Sequence, residues 1–174
     1  ALGAGGMGEV WQAWDTELSR WVALKFTKSV DPGDLERFRR EATIAARLVH
    51  PNIAAIYEVG QTGGRHWIAM QFVNGHTLKS AIAAGAGVRD TVLQVVEATR
   101  AVDHAHGEGI IHRDLKPENL MVEQAGRVFV MDFGLARPVD GGGSLTATGM
   151  AVGTPGYMSP EQARGEKSDR RSDI

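Results

Sequence analysis

Cysteine is absent from this 174-residue chain. That excludes disulfide bonds and thiol catalysis and fits a reducing compartment, so the expected location is the cytoplasm. An excess of charge of one sign is missing too. The 19 Lys and Arg stand against 21 Asp and Glu, giving a formal net charge of −2 and a pI near 6.3. There is no basic footprint for nucleic acid and no polybasic patch for a membrane surface. The local gathering of Arg37, Arg39, Arg40 and Arg47 with Glu36 and Glu41 reads as the solvated face of a helix. No apolar run is long enough to span a bilayer, no secretory signal is visible in this segment, and no repeat occurs. At 43% hydrophobic residues, the chain has the material for a buried core.

What is present is concentrated in the string His112-Arg113-Asp114-Leu115-Lys116-Pro117-Glu118-Asn119. It places a candidate base, a cation and a metal ligand side by side, and Asp132-Phe133-Gly134 follows. Between them, Leu120-Met121-Val122 and Val128-Phe129-Val130-Met131 flank a polar turn and read as two antiparallel strands. Such a hairpin returns Asp132 to the end where Asn119 sits. An amide oxygen and a carboxylate there, with Asp114 nearby, suit Mg²⁺, which completes its shell with phosphates and water and so arrives with a nucleotide. An isolated Asp or Lys would be read as a surface charge. The combination points to phosphoryl transfer.

Upstream, Gly3, Gly5 and Gly8 form G-x-G-x-x-G, a pattern that also opens dinucleotide-binding folds. Such a fold needs a helix next and an acid about twenty residues on. Here Val10-Trp11-Gln12-Ala13-Trp14 alternates with period two, a polar turn covers residues 15–20, and Trp21-Val22-Ala23-Leu24-Lys25-Phe26 is a second strand. The glycines therefore cap a hairpin, and the charged residue near the expected distance is a cation, Lys25. A helix is predicted from about residue 32 to 49, burying Leu35, Phe38, Ala42, Ala45 and Val49, with Glu41 beside that face. Strands are predicted at 53–59 and 66–72. A second helix from about 90 to 106 has Val92, Val95, Val96, Thr99 and Val102 on its apolar side. His104 and His106, two apart, do not face one another and read as structural histidines rather than metal ligands. The four tryptophans lie in predicted strands and are expected to pack.

These motifs together closely resemble the protein kinase family, and Lys116 two places after Asp114 resembles its Ser/Thr branch. Ser159-Pro160-Glu161-Gln162-Ala163-Arg164-Gly165 resembles the bacterial Ser/Thr kinases in particular, with Ser159 where the family usually has Ala. The resemblance implies an α+β, two-lobed kinase-like fold. Residues 1–73 would form a β-rich N-lobe with one regulatory helix, and residues 74–174 a mostly α C-lobe. Because the chain opens inside the glycine-rich loop and stops at Ser172-Asp173-Ile174, both ends are expected to be cut and the C-terminal helices absent.

By the same resemblance, Asp114 accepts the proton of the substrate hydroxyl, Lys116 steadies the γ-phosphate, and Asn119 and Asp132 hold Mg²⁺. ATP would lie under Leu2, Gly3, Ala4, Gly5, Gly6, Met7 and Gly8, with Lys25 paired to Glu41. Its adenine would sit between Val10, Ala23 and Met121, behind a gatekeeper Met70 and against the backbone of Gln71 and Val73. Phe133 belongs to the Asp-Phe-Gly that opens the activation segment. Arg113 is the candidate cation for phosphorylated Thr146 and Thr148, modified in trans, which makes a homodimer a possible partner state. Thr154 would help shape the site for Ser or Thr. The implied function is transfer of the γ-phosphoryl of Mg-ATP to Ser or Thr hydroxyls of protein substrates. Alternatives are a non-catalytic, nucleotide-binding pseudokinase-like module and a small-molecule phosphotransferase of kinase-like fold. A membrane anchor would lie outside this segment.

Overall fold

A computed structural model describes residues 1–5, 8–27, 32–133 and 155–174. Its first half is a five-stranded antiparallel sheet: β1 (Gly3–Gly5), β2 (Gly8–Asp15), β3 (Arg20–Thr27), then helix α1 (Pro32–Ala45), then β4 (Ile56–Thr62) and β5 (Arg65–Gln71). The spatial order is β1-β2-β3-β5-β4. The glycines cap a hairpin, as the period-two pattern requires, with Gly5 opposite Gly8. Gly8 has φ +151, and a Cβ there would lie 1.7 Å from the Phe26 carbonyl oxygen, so only glycine lets β2 approach β3 this closely.

The second half adds strand β6 (Gly75–Thr77), helices α2 (Leu78–Ala83) and α3 (Val88–Gly107), strands β7 (Leu120–Glu123) and β8 (Val128–Val130), and the short helix α4 (Pro160–Ala163). β6, β7 and β8 form a three-stranded sheet in that order. β6 escaped the sequence pattern because three residues carry no readable period. Thr77 starts α2 by accepting a hydrogen bond from the Ser80 N–H at its N-cap. Among the described residues, no helix is long and apolar enough to cross a membrane.

Two apolar clusters organise these parts. Beneath the five-stranded sheet, Ala23, Ala42, Ile68 and Met70 pack with Val10, Phe38, Ile56 and Met131. The larger one joins Ala45, Leu48 and Ile53 to Leu78, the buried face of α3, Ile110, Leu120, Val122, Val128, Val130 and Phe133. Residues from both halves thus share one core. The loop after α1 is also stitched to β8: Asn52 Nδ2 donates to the Val128 carbonyl at 2.8 Å, and Val130 N–H donates to the Asn52 carbonyl at 2.8 Å.

Three expectations need correction. α1 ends at Ala45, so Val49 is 83% exposed and Leu48 takes the buried place. On α3 the buried stripe is Ala98, Ala101, Val102 and Ala105; of the expected apolar side only Val102 is buried, whereas Val92, Val95, Val96 and Thr99 are exposed. Small residues at these positions let the helix axis approach β8, and closeness rather than side-chain size selected the face. Trp11, Trp14 and Trp21 are exposed rather than packed in a core; Trp14 and Trp21 stack edge-on across β2 and β3 with ring centroids 5.1 Å apart.

Replacing Asn52 by Ala would remove the only side-chain donor to the Val128 carbonyl among the described residues. Leaving that group unsatisfied costs about 1–3 kcal/mol. The urea midpoint of Asn52→Ala is expected to fall accordingly, with an unchanged m-value; an unchanged midpoint would show that the stitch contributes nothing.

Candidate active site

The site grows from the turn after α3. Arg113 adopts φ +66 and Asp132 φ +60, a left-handed backbone that costs a non-glycine residue about 1–3 kcal/mol and needs support from its surroundings. The support for Arg113 comes from far along the chain. Asp173, whose side chain is fully buried, accepts the Arg113 N–H at 2.7 Å and the His112 N–H at 2.8 Å, and its Oδ2 lies 2.7 Å from His106 Nε2. The sequence reading of His106 as structural agrees with this contact. Asp173 itself was missed, because an acid sixty residues away carries no local signal.

His112 is completely buried. Its Nδ1 accepts the Asp114 N–H at 3.2 Å, so Nε2 carries the proton and donates to the Met131 carbonyl at 2.8 Å. Burial pushes its pKa down; the hydrogen bond to Met131 and the carboxylates of Asp173, Asp132 and Asp114 oppose this without reversing it. The neutral ring packs against Phe133 at a centroid distance of 4.8 Å.

Asp114 follows, and its carboxylate is held rather than loose. Oδ2 receives Lys116 Nζ at 2.8 Å and Asn119 Nδ2 at 3.1 Å, and the same amide nitrogen donates to the Asp114 carbonyl at 2.7 Å. A short 3₁₀ turn, Pro117–Asn119, sets Asn119 in this position. With its NH₂ spent on Asp114, the Asn119 amide turns its oxygen elsewhere. Met131 N–H then donates to the Asn119 backbone carbonyl at 2.9 Å, and the β7–β8 hairpin delivers Asp132 to the Asn119 end.

Lys25 Nζ lies 2.8 Å from Asp132 Oδ2. The expected Lys25–Glu41 ion pair does not occur among the described residues, although both side chains are buried. Burial would raise the pKa of Asp132, but the charge and hydrogen bond of Lys25 outweigh it and hold the carboxyl below its usual range. An amide oxygen and an ionised carboxylate are hard donors of the kind Mg²⁺ takes, so the pair Asn119 and Asp132 fits it. Among the described residues, no cluster of three or more His, Asp or Glu could hold a metal without help.

Val10, Ala23 and Met70 share one apolar cluster, and Met121 is half-buried on β7. Leu2 is exposed and Val73 buried. Gln71 N–H is taken by the Ala55 carbonyl at 2.8 Å. The backbone of Gly3, Ala4 and Gly5 forms β1 beside β2. Gly6, Met7, Thr146, Thr148 and Thr154 lie outside the described residues.

One further element touches the site. α4 starts with a capping box in which Ser159 Oγ accepts the Gln162 N–H and Gln162 Oε1 accepts the Ser159 N–H. Gln162 Nε2 also donates to the Arg113 carbonyl at 2.8 Å. The S-x-x-Q spacing could have revealed the cap, but not its second bond. Glu161 accepts a hydrogen bond from Ser172 Oγ.

A family profile described as the protein kinase domain matches residues 1–174. The chain is 43% identical to the probable serine/threonine-protein kinase SCO3848 of Streptomyces coelicolor, across 99% of this chain and 27% of that protein. It is 44% identical to serine/threonine-protein kinase PknB of Mycobacterium tuberculosis, across 99% of this chain and 29% of that one. The crystal structure of the Mycobacterium tuberculosis PknI kinase domain superposes with a TM-score of 0.77 at 31% identity, covering 99% of this chain and 66% of that chain. The chain therefore spans under a third of the length of the first two relatives.

The buried neutral His112 has a testable linkage. Its folded-state pKa is depressed, so as pH falls below about 6.5 the unfolded chain takes up the proton first. The stability it contributes is present above that pH and lost below it. Between pH 7.5 and 5.5, the unfolding free energy of His112→Gln is expected to fall less steeply than that of the native chain, by up to about one proton's slope. Equal slopes in urea titrations would refute this.

Proposed function

This chain belongs to the protein kinase family, and on that premise we propose that it carries the ATP-binding and catalytic residues of a serine/threonine protein kinase. The observation that supports this reading most is the convergence of Lys116 and Asn119 on one oxygen of Asp114. With Oδ2 engaged, Oδ1 is the atom assigned to take a proton from a substrate hydroxyl. That hydroxyl oxygen forms a bond to the γ-phosphorus as the bond from phosphorus to the β,γ-bridging oxygen breaks. ADP departs with the electron pair, and the proton passes to Asp114 Oδ1. Lys116, beside the base, offers its ammonium to the charge on the transferring group. Catalysis then comes chiefly from positioning and charge neutralisation.

Asn119 and Asp132 are assigned to Mg²⁺. Bound with ATP, the ion would neutralise phosphate oxygens. Lys25 is assigned to phosphate oxygens, with the buried Glu41 as its assigned partner in the nucleotide-bound state. The adenine is assigned to Val10, Ala23 and Met121. Since Gln71 N–H is already engaged, the backbone donor is assigned to Val73. The glycine-rich residues 2–8, including Gly6 and Met7, are assigned to the phosphates.

The lobes are assigned to residues 1–73 and 74–174. Thr146 and Thr148 are assigned as sites of phosphorylation in trans between two copies, with Arg113 receiving the new charge. Thr154 is assigned to the substrate side. Protein Ser or Thr side chains are the substrates, and the ATP site faces the cytoplasm.

Incubation of the full-length protein with Mg-ATP, read by intact mass, should give steps of one phosphate. Asp114→Asn keeps the fold and nucleotide binding but removes the base, so its rate should fall by about 10²-fold or more. Undiminished transfer would overturn the role of Asp114. In the Thr146→Ala, Thr148→Ala double variant, phosphorylation of an added protein substrate should drop several-fold; an unchanged rate would remove both threonines from the scheme.

A further inference from the structure

Arg113 is strained, and its peptide groups are clamped from two directions. Asp173 takes its N–H at 2.7 Å, and Gln162 donates to its carbonyl at 2.8 Å. That carbonyl belongs to the peptide joining Arg113 to Asp114, so its orientation sets the direction in which Asp114 leaves the turn. Gln162 suits this task physically. It is buried, and its amide is used at both ends, Oε1 on the Ser159 N–H and Nε2 on the Arg113 carbonyl. Its own backbone is fixed in turn by Ser159 Oγ. Ser159 and Gln162 therefore act as a matched pair, one capping α4 and the other carrying α4 to the catalytic turn. An apolar residue of the same length at position 162 would leave the carbonyl without this donor.

The geometry points to Gln162 as a positioning residue for phosphoryl transfer, holding the Arg113 carbonyl and through it the aim of Asp114. This rests on the kinase reading above. It also gives Ser159 a function, since an alanine there could not accept the Gln162 N–H. α4 and the catalytic turn become one unit, so displacement of α4 would release Asp114 from its productive direction without touching ATP.

Two variants of the full-length protein, each close to glutamine in size, test this. Gln162→Met removes both hydrogen bonds. Gln162→Glu keeps the acceptor for the Ser159 N–H but, when ionised, faces the Arg113 carbonyl with negative charge. For both, kcat at pH 7.5 should fall roughly 10- to 100-fold while KM for ATP stays within about twofold, because misaligned reacting groups lose rate rather than nucleotide affinity. Of the two introduced side chains, only the carboxyl regains a donor, and it does so on protonation. As pH falls from 7.5 towards 5.5, the kcat of Gln162→Glu relative to native should therefore rise, while that of Gln162→Met stays flat; burial raises a carboxyl pKa into this range. Native-like kcat in both variants, or parallel pH profiles in all proteins, would overturn the proposal. Absence of transfer by the native protein would instead overturn the kinase reading.

Discussion

A single buried carboxylate, Asp173, is the constraint on which the rest of the site depends. It accepts two consecutive backbone N–H groups, of His112 and Arg113, and contacts His106 at the end of α3. A carboxylate removed from water needs such donors, and consecutive amides can converge on one side only when the chain turns sharply. The left-handed Arg113 is that turn. Without these bonds its backbone would relax towards common conformations, and Asp114, Lys116 and Asn119 would lose the frame in which they meet.

The second constraint is the shared core. The residues after α1 add to the three-stranded sheet through the Ile53–Val130 bridge, and Ile53 lies in the same apolar cluster as Phe133 and the buried face of α3. The sheet bearing Lys25 is therefore registered against the hairpin bearing Asp132, and their 2.8 Å contact follows from that registration. Lys25 meets Asp132 rather than Glu41 because packing between the two halves brings the Asp132 carboxylate to its ammonium.

Strain and satisfaction are distributed unevenly across the molecule. Of the three described non-glycine residues with positive φ, Ser19 lies in an exposed turn, while Arg113 and Asp132 belong to the site and are backed by hydrogen bonds or an ion pair. By contrast, the surface carries apolar groups without comparable support. Val88, Val92, Leu93, Val95 and Val96 lie exposed along the first half of α3, and the Trp14–Trp21 pair is exposed on the five-stranded sheet. Rigid geometry is concentrated in the turn that carries Asp114.

The sequence by itself determined the candidate site residues and the local elements. Alternation in β2 and short apolar runs bounded by turn residues located β2, β3, β5 and the β7–β8 hairpin to within a few residues, and the string from His112 to Asn119 with Asp132 named the candidate site residues. These were legible because strand periodicity and chemical type are properties of neighbours in the chain. The tertiary structure decided the rest. Which face of α3 is buried depends on how closely β8 approaches, so Ala98, Ala101 and Ala105 with Val102 took the place expected for Val92, Val95 and Val96. Lys25 chose Asp132 over Glu41 through packing between the two halves. Asp173 and Gln162 acquire their importance only from residues about sixty and fifty positions away, and no local pattern encodes a hydrogen bond across that distance.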